Sequence, residues 1–186
     1  MGRININKPM QNHIEIQYYK TKFGEFILGS FKNKLCLFDF RYRKMRSIVD
    51  SRIKNILNAE YLVQNNKILR EVRKQINEYF SARRKDFEVP ILTVGSTFQK
   101  KVWKSLLNVK YGETASYLDI AKDIRNKKAV RAVASANGAN SLAIIIPCHR
   151  IIGSNGKLVG YGGGLTIKKK LLDLEKKKFK TLKLTS

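Results

Sequence analysis

Two cysteines stand in this chain, and their neighbours set them apart. Cys148 lies in Pro147-Cys148-His149-Arg150, between an imidazole and a guanidinium on one side and an apolar run, Leu142-Ala143-Ile144-Ile145-Ile146, on the other. The thiolate is the reactive form of cysteine and cationic neighbours stabilise it, so this tetrapeptide predicts a lowered thiol pKa and a nucleophile. Pro147 keeps Ile146 extended and removes a ladder hydrogen bond at its own nitrogen, so Cys148 should open a turn at the end of a buried strand. Cys36, among Leu35, Leu37 and Phe38 in an alternating pattern, reads instead as a small buried hydrophobe. Outside the Cys148-His149 pair only His13 and Cys36 could serve as soft metal ligands, so no metal, and no zinc in particular, is expected.

The elements that must carry these residues fall into two parts. Alternation in 13–18, 24–30 and 35–40 predicts three strands, with Lys32-Asn33 as a hairpin turn between the last two. Ile68, Leu69, Val72, Ile76, Tyr79 and Phe80 recur at helical spacing, so a small antiparallel sheet packed on one helix should account for residues up to about 86. Around Asp86 to Gly95 the pattern breaks at Pro90, which predicts domains at 1–90 and 91–186. Beyond it, Thr97 is placed to cap a helix through Phe98, Val102, Trp103, Leu106 and Leu107, and Ser116 to cap a short helix through Leu118, Ile120, Ala121 and Ile124. The basic turn Arg125-Asn126-Lys127 then leads to a helix from Lys128 to about Asn137, which makes a helix-turn-helix. That second helix is nearly all small residues apart from Arg131 and its lysine neighbours, which suits either tight packing or close approach to a nucleic-acid groove. The fold class expected is α/β (α+β): an antiparallel sheet with a helix, followed by a mostly helical half.

Charge points to the partner. With 38 Lys and Arg against 14 Asp and Glu in 186 residues, the formal charge is +24, and a field of that size attracts polyanions, with nucleic acid first among them. Two cysteines are too few for a disulfide framework, and Met1–Met10 has no apolar core of signal-peptide length, so a soluble cytoplasmic protein without a membrane span is expected. Ile6 stands where a myristoylation site at Gly2 would need serine or threonine. Lys168, Lys169 and Lys170 open a final helix and Lys176–Lys180 forms a basic tail; both read as solvated lysines.

Ile146-Pro147-Cys148-His149-Arg150-Ile151-Ile152, with Tyr161-Gly162-Gly163-Gly164-Leu165 downstream, resembles the active-site signature of the O6-alkylguanine-DNA alkyltransferases, also called methylated-DNA–protein-cysteine methyltransferases. The agreement runs back through Phe98-Gln99-Lys100-Lys101-Val102-Trp103, Tyr111-Gly112-Glu113-Thr114, Ser116-Tyr117, Ala129-Val130-Arg131-Ala132-Val133 and Asn140, and forward to Leu171-Leu172 and Glu175. It covers most of residues 96 to 175. The N-terminal part resembles the family in pattern alone, as a small ribonuclease-H-like sheet with a helix.

The resemblance implies that Cys148 attacks the alkyl carbon on guanine O6, with guanine as the leaving group. His149 would act through a water as the base, Glu175 would hold its tautomer, and Asn140 would brace the link between helix-turn-helix and active-site segment. Arg131 matches the finger that fills the gap left by a flipped nucleotide, and Tyr117 the aromatic that crowds that nucleotide's phosphate. Ser116, Ala129, Ala132 and Asn137 would face the DNA. Tyr161 would donate toward O6, Gly162 and Gly163 would let backbone approach the base, and Pro147 and Ile151 would complete the substrate pocket. No cofactor is implied. The implied partner is double-stranded DNA carrying O6-alkylguanine, with O4-methylthymine a further candidate lesion, and the implied actor is a monomer used once, because the thioether product is inert. Glycine at 162 suggests a pocket open to larger alkyl groups.

Three other readings compete. A cysteine hydrolase would use Cys148, His149 and Glu175 but would turn over. A non-catalytic sensor of alkylated guanine would bind lesions without a reactive cysteine. A helix-turn-helix regulator would have no use for Pro-Cys-His-Arg followed by a glycine loop.

Overall fold

The computed structural model describes residues 12–183, with side chains through Lys176. The N-terminal residues 1–11, on which the leader and lipid-anchor expectations rest, and the side chains of the basic tail beyond Lys176 lie outside the described residues.

The strands β1 (Asn12–Thr21), β2 (Gly24–Phe31) and β3 (Lys34–Phe40) form an antiparallel meander. Lys32 and Asn33 both take positive φ, 48° and 59°, as a two-residue type I′ turn requires, so the expected hairpin is present. The expectation of one helix on an antiparallel sheet was incomplete. A second helix, α1 (Arg46–Leu57), leads through Asn58 in the left-handed conformation to β4 (Ala59–Val63), which pairs parallel to β1 and gives the sheet order β3-β2-β1-β4. Helix α1 buries only Val49 and Ile53 while Ile48 and Ile56 stay exposed, so its sequence carries little of the apolar stripe that marks a packed helix.

Both faces of the sheet are covered. Ile14, Ile16, Ile27 and Leu37 pack with Val49 and Ile53 of α1. On the other face, Phe26, Leu28 and Phe38 meet Leu69, Val72, Ile76 and Tyr79 of α2 (Lys67–Phe80), whose N-terminus is capped by the Asn66 side chain accepting from Leu69 N–H at 2.9 Å. The same cluster continues into the helical half through Trp103, Leu106, Ile120, Val133 and Ile146.

The free edge of β3 is satisfied by two short extended pieces. Leu35 exchanges hydrogen bonds with Pro90 and Leu92 (both 2.8 Å), within the connection where the domain boundary was expected, and Phe38 with Ser141 (2.8 Å) and Ala143 (2.7 Å). The run 142–146 is therefore not the buried strand expected from its apolarity. After the bridge to Phe38 it reverses at Ile144, whose φ of 70° is a strained value for a β-branched residue, typically costing about 1–3 kcal/mol.

In the helical half, α3 (Thr97–Leu106) is capped by Ser96, one residue earlier than expected, because Ser96 and Gln99 form a reciprocal capping box. A two-residue strand, β5 (Ala115–Ser116), precedes α4 (Tyr117–Asp123), which Ser116 caps as expected, with Asp119 completing the box. The following helix begins with a 3-10 turn at Lys127–Ala129 and becomes α-helical as α5 (Val130–Gly138), so α4 and α5 are the expected helix-turn-helix. The short strand β6 (Ile151–Ile152) pairs parallel to β5, and α6 (Leu165–Lys183) closes the chain. No helix among the described residues is long and apolar enough to cross a membrane.

Trp103 ties these helices together: it is 1% exposed and donates Nε1–H to the Ala136 carbonyl near the end of α5 at 2.8 Å. Trp103→Ala should lower unfolding free energy by about 3–5 kcal/mol in a urea titration, the loss of a large buried side chain with the cavity it leaves.

Candidate active site

Cys148 begins a single 3-10 turn, Cys148–Arg150, held by Cys148 N–H donating to the Ile146 carbonyl at 2.7 Å and Arg150 N–H to the Pro147 carbonyl at 2.9 Å. The turn is buried throughout. Cys148 lines a cavity of about 260 Å³ together with Tyr117, Asn137, Asn140, Tyr161 and Gly162, so the structure brings these six predicted residues to one place.

Behind the thiol, the imidazole and carboxylate are paired. His149 Nε2 lies 2.9 Å from Glu175 Oε1, and both residues are fully buried. Burial pushes the His149 pKa down despite the carboxylate, so the imidazole is neutral. Burial also works against the Glu175 charge, but the hydrogen bond from His149 and the Arg150 guanidinium outweigh it and hold the carboxyl at about 2. An ionised Glu175 makes Nε2 the protonated nitrogen. Nδ1, buried and without a protein partner, then carries the lone pair of a base.

The expected electrostatics of Cys148 are corrected. Arg150 does not stand beside the thiol: it forks onto Glu175 (Nε to Oε2 3.1 Å, Nη2 to Oε1 3.0 Å) and donates to the Val109 carbonyl at 2.6 Å. Burial pushes the Cys148 thiol up, against the lowering effects of the Asn140 amide, Arg43 and Lys168, so the resting group is a thiol. Cys36 is buried as expected, and burial pushes its thiol up to about 12.

Asn140 bridges the segment as a brace would. Its Nδ2 donates to the Ile146 carbonyl at 2.9 Å and its Oδ1 accepts from Leu142 N–H at 2.9 Å, closing the loop that reverses at Ile144. The Tyr161 hydroxyl is buried without a protein partner, and burial raises its pKa well above 10, so it stays a donor. Burial likewise raises the Tyr117 pKa, with the Asn137 amide beside its hydroxyl. Gly163 packs flat on Phe40, where a Cβ would lie 2.4 Å from the ring, and a Cβ on Gly162 would lie 3.3 Å from the Arg43 guanidinium. Both glycines therefore permit a close approach to the sheet half. Pro147 and Ile151 are both buried, and neither lines the cavity.

On α5, Arg131 and Ala132 are exposed while Val133, Ala136 and Asn137 face inward, and Ala129 and Ser116 are half-buried. Asn137 thus belongs to the cavity wall rather than to the outer face. Among the described residues no three His, Cys, Asp or Glu side chains gather as a metal site would require.

Three participants were missed from sequence. Tyr79 of α2 donates to Glu175 at 2.6 Å, and Arg43, between β3 and α1, lines the cavity. Lys168, read as a solvated lysine, is fully buried: its ammonium donates to the carbonyls of Ile151, Val159 (2.6 Å) and Gly160 (3.5 Å) and so ties the loop above the cavity to α6. Its place within a run of three lysines concealed it. A helical periodicity count would have put Lys168 on the face of Leu171, Leu172 and Glu175.

A buried cysteine at a cavity walled in part by a helix-turn-helix defines the class, and comparison with known proteins defines the family. The 6-O-methylguanine DNA methyltransferase family matches twice, through its ribonuclease-like domain over residues 14–93 and its DNA binding domain over residues 97–177. The constitutive methylated-DNA–protein-cysteine methyltransferase of Bacillus subtilis is 38% identical over 169 residues, 89% of this chain and 99% of its own. That of Methanosarcina mazei is 52% identical over 118 residues, 63% of this chain and 75% of its own. Mycobacterium tuberculosis OGT, solved in complex with DNA, superposes with a TM-score of 0.75 at 36% identity, covering 89% of this chain and 93% of that one. The chain belongs to the methylated-DNA–protein-cysteine methyltransferase family.

Burial lowers the Lys168 pKa from 10.5 to about 8, against the opposing influence of Cys148. Between these values the unfolded chain binds the proton more tightly than the folded one, so the Lys168 contribution to stability rises with pH from about 8 to about 10. Urea unfolding of wild type beside Lys168→Met should show that difference growing across this window. A constant difference would mean that the buried amine does not titrate.

Proposed function

We propose that this protein repairs DNA by direct reversal, flipping O6-alkylguanine out of the duplex and moving the alkyl group irreversibly to Cys148. The observation that carries the reading is a buried thiol at a cavity, backed by an imidazole whose inner nitrogen is locked to an ionised carboxylate. The thiol proton passes through a water to His149 Nδ1, which burial keeps neutral and able to accept it. The sulfur then forms its bond to the alkyl carbon as the bond from that carbon to O6 breaks. Guanine leaves with the electron pair, steadied by a hydrogen bond from the Tyr161 hydroxyl. The product is a thioether, so each molecule acts once.

A stacked base cannot reach a buried sulfur, and its extrusion costs a few kcal/mol. Arg131, exposed on α5, fills the vacated space, and the small residues around it let the helix enter a minor groove. Ser116, Ala129 and Ala132 lie along the same approach. The +24 charge supplies phosphate affinity without sequence preference. The protein acts as a monomer in the cytoplasm, through a unit of residues 1–90 that supports a DNA-binding, alkyl-accepting unit of residues 91–186. O4-methylthymine is a second substrate candidate.

Intact-protein mass after incubation with a duplex holding one O6-methylguanine tests this: a gain of about 14 Da, saturating at one per molecule and absent in Cys148→Ala, is expected. Unchanged mass with tighter binding of the lesion duplex would make the protein a damage sensor, and repeated turnover of an ester would make it a hydrolase. Arg131→Ala should slow repair of the duplex about tenfold or more while leaving reaction with free O6-benzylguanine within about twofold, because only the duplex must be opened. Equal losses on both substrates would remove Arg131 from the flipping step.

A further inference from the structure

Arg43 belongs to the sheet half, yet its guanidinium reaches into the cavity that holds Cys148. It is 9% exposed and anchored from below by Asp39, with Nη1 2.7 Å from Oδ2. From there Nη1 donates to the Asn140 carbonyl at 3.0 Å and Nη2 to the Gly138 carbonyl. Arg52 of α1 holds the carbonyl between them, Ala139, at 2.7 Å. The last carbonyls of a helix lack partners within it and favour cations, so two arginines from the sheet half fix where α5 ends.

We propose, on the alkyl-transfer reading above, that Arg43 is a positioning residue of the reaction, which holds Asn140 and through it the Cys148 turn in reactive geometry. The contacts are continuous: Arg43 holds the Asn140 backbone, the Asn140 amide holds the Ile146 carbonyl, and that carbonyl accepts from Cys148 N–H at 2.7 Å. Arg43 has a second influence, because its charge favours the thiolate. The other groups that act on the thiol are Asp39 on β3, Lys168 on α6, the Asn140 amide and the hydroxyls of Tyr117 and Tyr161, with His149 next in the chain. A lysine at 43 would keep the charge but has one ammonium nitrogen where the guanidinium uses two, Nη1 for Asp39 and the Asn140 carbonyl and Nη2 for the Gly138 carbonyl, so it could not reproduce that spread of donors.

The test is single-turnover methyl transfer from a saturating O6-methylguanine duplex, followed across the pH range in which a thiol titrates, for wild type, Arg43→Lys and Arg43→Met. Thermal unfolding is measured beside it, and lesion binding is measured with Cys148→Ala in each background. Lesion affinity should stay within about twofold, while the saturating rate falls about tenfold in Arg43→Lys and further in Arg43→Met, as expected for a displaced nucleophile. Only Arg43→Met should move the thiol inflection to higher pH. Folded variants with wild-type rates and inflections would overturn the proposal, as would failure of both variants to fold, which would make Arg43 purely structural. Absence of transfer by the wild type would instead overturn the alkyl-transfer reading, and this proposal with it.

Discussion

Glu175 has no exposure to solvent, and an ionised carboxylate in that position is tolerable only if donors surround it. Here four donors come from three parts of the chain: Tyr79 of α2, Gly112 N–H in the connection after α3, and His149 with Arg150 of the cysteine turn. Satisfying one buried charge therefore draws together the last helix, the cysteine turn, the sheet-packed helix and the approach to the helix-turn-helix. The same charge decides which His149 nitrogen bears hydrogen. A demand of burial and a demand of catalysis are met by one set of contacts, and a substitution there changes both together.

The sheet half shapes the cavity without supplying its cysteine. Its Phe40 is the surface against which Gly163 lies, its Arg43 and Arg52 grip the end of α5, and the edge of its β3 holds Ser141 and Ala143 just before the reversal at Ile144. Ile144 can persist in a strained conformation because both flanks are pinned, by β3 on one side and by the Asn140 amide on the other. Such a frame explains why the thiol sits at a fixed depth instead of on a mobile loop. Depth has a cost, since burial raises the thiol pKa, and in the proposed mechanism the neutral imidazole offsets it by accepting the proton.

Much of this was legible in the chain itself. Alternation and turn chemistry placed three strands and the Lys32-Asn33 hairpin, helical spacing placed α2 to α5, and Pro-Cys-His-Arg followed by a glycine loop marked the chemistry. Local signals of this kind depend on residues within a few positions of one another. The features that escaped depend on distant ones. Helix α1 has a weak stripe because the sheet face it covers asks for only two buried side chains, and the apolar 142–146 run looks like a strand because nothing within it records that β3 takes only its first residues as a partner.

The sequence by itself determined the family resemblance, the cysteine that lies at the cavity and the order of most elements, because each rests on residue identity and short spacing. Tertiary structure decided the electrostatics. Arg150 lies two residues from Cys148 in sequence but serves Glu175, while Arg43, more than a hundred residues away, lines the cavity of the thiol, and Lys168 is buried although its neighbours in the lysine run are solvated. Charge acts through space and through the dielectric around it, and both are properties of the folded chain that adjacency in sequence does not encode.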